Sequence, residues 1–378
     1  MNKLKLMTII GTRPEIIRLS SVIKSCDTYF DHVLVHTGQN WDHALSQVFF
    51  DDFGLRQPDH FLDCAGANVG ETMGAIIAKS YEIMVSERPD ALLVLGDTNS
   101  ALSAISAKRL KIPIFHMEAG NRCWDWNVPE MTNRTIVDHI ADINLPYTEN
   151  SRRYLLSEGV DGKTIFVTGS PMREVLRDMQ SKIDASTVLE ELGLEPKRYI
   201  VLSAHREENI DDEAAFTSLM EAVNHIAETY QMPIVYSAHP RSRKFIESRG
   251  FEFDPLVRVL QPFSFTDYNK LQMNSYCVLS DSGTLSEESA ILDFPGVLIR
   301  TSTERPEAID AGTVVIGGIT GPDIEQALEL AVAMSDAQEE VGSVADYGDT
   351  CVSTKVVKVI QGYANIVDIT TWRKNMYA

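Results

Sequence analysis

The sequence predicts an α/β protein built from two doubly wound parallel sheets. Short apolar runs alternate with helix-length amphipathic segments from end to end, the pattern of strands covered by helices on both faces. The chain has 378 residues, more than one core ordinarily serves. In the first half, Leu4 to Ile10, His32 to His36, Ala91 to Leu95, Ile112 to Phe115 and Ile143 to Leu145 read as strands. In the second half, Ile200 to Ser203, Ile234 to Ser237, Val257 to Leu260, Cys277 to Ser280 and Gly296 to Leu298 do. Between them, Pro171 to Arg198 is charged and ends in Gly193-Leu194-Glu195-Pro196-Lys197-Arg198, so a hinge is expected near residues 170 to 198.

Composition narrows the function. Acidic residues outnumber basic ones, 54 to 34, for a formal net charge of −20. Phosphate backbones and anionic membranes need Lys and Arg to neutralise them, so neither nucleic acid nor membrane is an expected partner. A small anion in a local cationic pocket remains compatible. Cys26, Cys64, Cys123, Cys277 and Cys351 are odd in number and scattered, without a CxxC, so no disulfide framework and no metal site is expected. The start, MNKLKLMTIIG, lacks a long apolar core and a cleavage site, and no apolar run reaches spanning length. It reads as the first buried strand of a cytoplasmic enzyme.

Charged and small residues gather where strands end, which is where open parallel sheets hold ligands. Gly11-Thr12-Arg13-Pro14-Glu15 follows Ile10, with Arg18 one turn on. Gly suits the tight turn, Pro the first helical turn, and a helix start beside Arg13 suits an anion. The spacing is not GxGxxG, so no dinucleotide cofactor is expected, nor any other. Gly96-Asp97-Thr98 follows Leu95, and His116 to Arg134, reading HMEAGNRCWDWNVPEMTNR, follows Phe115 as a loop-like stretch dense in Glu118, Arg122, Asp125, Glu130 and Arg134. In the second half, His205-Arg206-Glu207 follows Ser203 and His239-Pro240-Arg241 follows Ser237. Asp281-Ser282-Gly283-Thr284 opens a helix bearing Glu287 and Glu288, and Arg300 to Glu307 follows Leu298.

Two chemistries separate by half. Cations and helix-start amides in the second half (His205, Arg206, His239, Arg241, Ser282, Gly283, Arg300, Arg305) suit a diphosphate. Asp97, Glu118 and Glu130 in the first half suit proton transfer on a neutral group such as a sugar. Neighbouring carboxylates repel, so their apparent pKa values are expected to split and leave one protonated.

These motifs together resemble the non-hydrolysing UDP-N-acetylglucosamine 2-epimerases. The resemblance rests on GTRPE at Gly11, Gly96-Asp97-Thr98, the HxEAGxR pattern from His116, Pro129-Glu130 with Asn133-Arg134, His205-Arg206-Glu207, His239-Pro240, Ser280-Asp281-Ser282-Gly283 with Glu287-Glu288, and Thr303 to Glu307. It spans residues 8 to about 313 in order. It implies a GT-B fold: two Rossmann-like domains facing across a cleft, 1–170 and 171–362, a C-terminal helix over 363–378 returning to the first, and a homodimer. It also implies a UDP-sugar substrate that loses UDP to a 2-acetamidoglycal and regains it with C2 inverted. By motif position Asp97, Glu118 and Glu130 are the acid–base candidates. His205, Arg206 and Arg13 would stabilise the departing diphosphate, and Glu287 would grip the ribose. Arg18, Arg122, Arg134, His239, Ser282, Gly283 and Arg305 complete the expected substrate contacts.

Some positions carry a second reading. Asp97 also suits a helix cap, and His205 and His239 suit hydrogen-bonded core positions. Trp124 and Trp126 are expected to pack the loop, with stacking on a sugar or uracil ring the alternative, and Glu288 is expected as a surface charge. Arg18, Met131, Glu207, Thr284 and Gln39-Asn40-Trp41-Asp42 depart from the parent enzymes' commonest pattern. Allosteric activation is therefore not expected. EAGNRC, VPE and SDSGT resemble instead the branch acting on UDP-2-acetamido-2,6-dideoxy-L-hexoses, which supplies surface polysaccharides. A GT-B glycosyltransferase, a hydrolysing epimerase and a nucleotide-sugar sensor are the competing readings; three clustered acids with GTRPE favour epimerisation.

Overall fold

The computed structural model describes residues 3–39, 49–301, 303–339 and 342–374. Asn40, Trp41, Asp42, Ser302 and the last four residues of the expected C-terminal helix lie outside them. The chain divides into two units, Met1–Asp178 with Asp346–Ala378, and Met179–Ala345.

The first unit holds β1 (Lys5–Ile10), β2 (Asp31–His36), β3 (His60–Phe61), β4 (Ala91–Leu95), β5 (Ile114–Met117) and β6 (Ile143–Leu145). They pair in parallel in the order β3-β2-β1-β4-β5-β6. Met7, Ile9, Leu92, Val94 and Ile114 pack with Met84, Ala104 and Ala107 from the helices Val69–Glu87 and Ser103–Leu110. The helix Arg13–Tyr29 buries Ile16, Leu19, Val22 and Ile23, and the helix Val352–Thr370 packs against it.

The second unit holds β7 (Ile200–Ser203), β8 (Ile234–Ser237), β9 (Val257–Leu260), β10 (Cys277–Ser280), β11 (Gly296–Leu298) and β12 (Val315–Ile316), in the order β12-β11-β10-β7-β8-β9, again parallel. Successive side chains of a strand point to opposite faces. Ile200 and Leu202 thus join one apolar cluster with Phe216 and Leu219, while Val201 joins another with Leu271 and Leu285. Counted within each unit, both sheets run 3-2-1-4-5-6. That order reverses between β1 and β4, and between β7 and β10, the positions where doubly wound sheets hold ligands.

Four local expectations change. Strand β5 begins at Ile114, after Pro113, whose missing N–H suits a strand's edge rather than its interior. His116 and Met117 are therefore strand residues, fully buried, not loop. The two-residue edge strands β3 and β12 went unread because they are too short to show a period. The unit boundary, after Asp178, falls within the expected hinge but inside the helix Met172–Asp184 rather than at residue 170, and the returning helix starts at Val352 rather than 363, because Val352, Val356 and Ile360 are already buried. No helix among the described residues is long and apolar enough to cross a membrane.

Candidate active site

In the first unit, adjacent strands β4 and β5 pair Leu95 with Met117, so Gly96-Asp97 and Glu118 leave the sheet side by side. Gly96 and Glu118 both take left-handed backbone, φ +65° and +60°. For Glu118 this conformation costs on the order of 1 kcal/mol, the kind of strain that gathers at functional sites. Its carboxylate is nearly buried and accepts from Arg18 Nη1 at 2.7 Å and from Asn121 Nδ2 at 3.3 Å. Arg18 also lies over the Tyr147 ring at 6.0 Å. Asp97 pairs with Arg134, and Asn133 Nδ2 donates to the Asp97 carbonyl at 3.0 Å. Both donors sit on the helix Glu130–Ile140, which Glu130 opens as an exposed residue one turn before Arg134.

Three expectations are settled by this geometry. Asp97 is not a cap: the short helix after it, Asn99–Leu102, has Thr98 at its N-cap with no side-chain cap bond. The expected mutual repulsion of neighbouring carboxylates gives way to pairing, since Glu118 faces Arg18 and Asp97 faces Arg134. Trp124 and Trp126 do not pack the loop. They are 58% and 67% exposed, Trp124 meeting Tyr154 edge-on at 5.7 Å.

Arg122, expected at the substrate, is elsewhere. It is 2% exposed, forks onto Glu158 at 2.7 and 2.6 Å, and donates to Asp138 at 2.7 Å. Asp138 lies 3.0 Å from His116 Nδ1, and His116 Nε2 reaches the Gly96 carbonyl at 2.7 Å. This buried chain supports the strand ends from behind. Burial pushes the Asp138 pKa up, but hydrogen bonds and charge from His116 and Arg122 outweigh it and hold the carboxyl below its ordinary value.

In the second unit the loops after β7 and β10 are joined by Asp281, which has no exposed surface. Its Oδ2 accepts from the backbone N–H of His205 and of Arg206, both at 2.9 Å, and from Asn209 Nδ2 at 3.2 Å. His205 Nδ1 is 3.3 Å from Asp281 Oδ1, so this half-exposed ring is held by its edge rather than packed in the core. Arg206 and Arg300 both bind Glu304 at 2.8 Å. Glu304 Oε1 sits where a Cβ on Gly283 would stand, 2.6 Å away. Ser282 and Thr284 share a hydroxyl contact at 3.0 Å. His239 is exposed and caps the helix Pro240–Arg249, its Nδ1 accepting from the Arg241 N–H at 3.3 Å, with its ring 6.2 Å from that of His205. Arg241 pairs with Asp211. Arg13 is exposed, its guanidinium 5.5 Å from the Phe49 ring centre.

Two glutamates are buried here. Glu287, expected at the ribose, has no exposed surface and accepts from Arg305 Nη1 at 3.0 Å, so it braces that arginine. Glu288 is no surface charge: it is 6% exposed and accepts from Gln272 at 2.8 Å. Sequence reasoning also passes over Glu15 and Asp138. For Glu15 the signal was present, since Thr12 to Glu15 has the spacing of a capping box.

Known proteins share the fold. The profile of the family described as UDP-N-acetylglucosamine 2-epimerase matches residues 24–361. A Rickettsia bellii UDP-N-acetylglucosamine 2-epimerase structure superposes with a TM-score of 0.91 at 45% identity, covering 99% of this chain and 100% of that one. The Methanocaldococcus jannaschii UDP-GlcNAc 2-epimerase, crystallised with UDP-GlcNAc and UDP, gives 0.88 at 28% identity over 95% of this chain and 100% of that one. A Pseudomonas aeruginosa UDP-2,3-diacetamido-2,3-dideoxy-D-glucuronate 2-epimerase is 34% identical over 319 residues, 83% of this chain and 88% of its own. With its profile match and two Rossmann-order sheets, the chain belongs to the UDP-N-acetylglucosamine 2-epimerase family and is an isomerase of that type.

Proposed function

We propose that this enzyme inverts C2 of a UDP-2-acetamido sugar by releasing UDP and adding it back. The hydrogen on C2 has no neighbouring carbonyl to acidify it, so C1–O cleavage must do so. A base takes the C2 proton, the C–H pair becomes the C1=C2 bond of a 2-acetamidoglycal, and the C1–O pair leaves on UDP. On return, the UDP oxygen bonds C1 while the double-bond pair takes a proton at the opposite face of C2. Asp97, Glu118 and Glu130 are the proposed acid–base groups, and Arg134 and Arg18 hold the first two by ion pairs. Arg13, His205, Arg206, His239, Ser282 and Gly283 hold the diphosphate as charge develops on it.

The observation that carries this reading is the pair of arginine-bound carboxylates, Asp97 and Glu118, at the ends of adjacent strands. The M. jannaschii relative with UDP-GlcNAc and UDP bound supports a UDP-sugar, and the P. aeruginosa relative's name extends the class beyond UDP-GlcNAc. The EAGNRC and SDSGT segments favour a UDP-2-acetamido-2,6-dideoxy-L-hexose, handled in the cytoplasm by a homodimer as a surface polysaccharide precursor. The test offers that sugar and UDP-N-acetylglucosamine separately and follows the C2 epimer by NMR. We expect kcat/KM at least about tenfold higher for the 6-deoxy sugar, a difference of about 1.4 kcal/mol. Equal or faster turnover of UDP-N-acetylglucosamine contradicts the branch, and no epimer from either contradicts the whole reading.

A further inference from the structure

Two loops leave the first sheet where its strand order reverses, and a single buried carboxylate takes donors from both. Glu15 is 1% exposed. Its Oε2 accepts from the Gly11 N–H at 3.1 Å and the Thr12 hydroxyl at 2.7 Å, both after β1. The same oxygen accepts from the Thr98 hydroxyl at 3.1 Å, and Oε1 accepts from the Ser100 hydroxyl at 2.5 Å, both after β4. Thr98 and Ser100 also touch each other at 2.6 Å.

The first pair of bonds is local to the start of the helix Arg13–Tyr29, whose N-cap Thr12 makes no side-chain cap bond. The second pair serves no cap. It reaches the turn that begins at Asp97. We propose that Glu15 is a positioning residue of the reaction proposed above: it locks the Gly11–Thr12 and Thr98–Ser100 turns together, and so fixes Arg13 and Asp97, each one residue from a turn it grips. A carboxylate suits the task because it only accepts, with room for several donors. An amide would turn an N–H group toward hydroxyls that are already donating. Burying a carboxylate costs free energy, and here burial does push the Glu15 pKa up. The second unit repeats the device, with Asp281 gripping the loop after β7 from the end of β10.

The test separates the far bonds from the near ones. A Thr98→Val, Ser100→Ala double variant removes the far pair of donors and leaves those from Gly11 and Thr12 in place. Misplacing a reacting group by an ångström can cost about a hundredfold, so we expect kcat to fall by roughly ten- to a hundredfold with KM within about threefold of wild type, measured where the variant is still fully folded. Glu15→Gln, which keeps one acceptor oxygen, should be faster than Glu15→Ala. A double variant as fast as a turning-over wild type overturns the inference, and so does a loss of rate that only tracks a fall in the melting midpoint. If Glu15→Ala fails to fold, the double variant alone decides. The inference rests on the proposed reaction, but their failures differ: a wild type that makes no C2 epimer sinks the reaction, whereas a normal double variant sinks only the brace.

Discussion

Each charged residue near the strand ends has a role set by its partner rather than by its type. Arg18 and Arg134 lie against the proposed acid–base groups Glu118 and Asp97, and both pairs keep some exposure, up to 17% for the Asp97 side chain. Arg122 and Asp138 are different, at 1% and 0% side-chain exposure. Breaking such a pair leaves a buried charge uncompensated, typically at about 3–5 kcal/mol. The Asp138 pKa is held below its ordinary 3.8, so its contribution to stability is complete above that value and is lost as pH falls through the lowered one. Asp138→Asn should therefore lower the stability read from urea midpoints by about 3 kcal/mol near pH 7, with the gap to wild type narrowing as pH falls below the ordinary 3.8. A constant gap across that range would show that the carboxylate's charge is not what matters.

Strand ends and helix starts do the positioning at the next scale. The helix Thr284–Leu292 begins against β11 and the Arg300–Arg305 segment, and Gly283 leaves just enough room for Glu304. Gly283 is needed for this close approach rather than for its backbone angle, which is ordinary helical at φ −62°. Gly283→Ala should push Glu304 off Arg206 and Arg300, raising KM for the UDP-sugar about tenfold while the melting midpoint barely moves. Steady-state kinetics with a thermal scan checks this, and an unchanged KM would mean that Glu304 has slack. Every strand of three residues or more was legible as an apolar run, and so was the crowding of Asp97, Glu118, His205 and Arg206 at strand ends. Pairing was not legible. Arg122 finds Glu158 and Asp138, and Arg305 finds Glu287, through the packing of helices onto sheets that residue spacing does not encode. Glu15 was half legible, since the Thr12 to Glu15 spacing is local while its bonds to Thr98 and Ser100 reach across the sheet.

For the whole molecule, the repeated strand order gives each unit its own ligand-holding edge, and the sequence assigns the edges different chemistry. In a chain of net charge −20, Arg206, Arg300 and Arg305 lie in the second unit, and Asp97, Glu118 and Glu130 lie in the first. Family membership makes the chain an epimerase; the proposed chemistry requires that the C2 hydrogen leave and be replaced from solvent. The most direct measurement is incubation of the UDP-sugar substrate in D2O, with wild type and Glu118→Gln in parallel, followed by NMR at C2. The account predicts one deuterium at C2 in both epimers, UDP-sugar retained, and a rate slower by about a hundredfold or more in the variant with UDP binding unchanged. A C2 that stays protiated while the epimers interconvert, or UDP and free sugar accumulating in place of epimer, would contradict it.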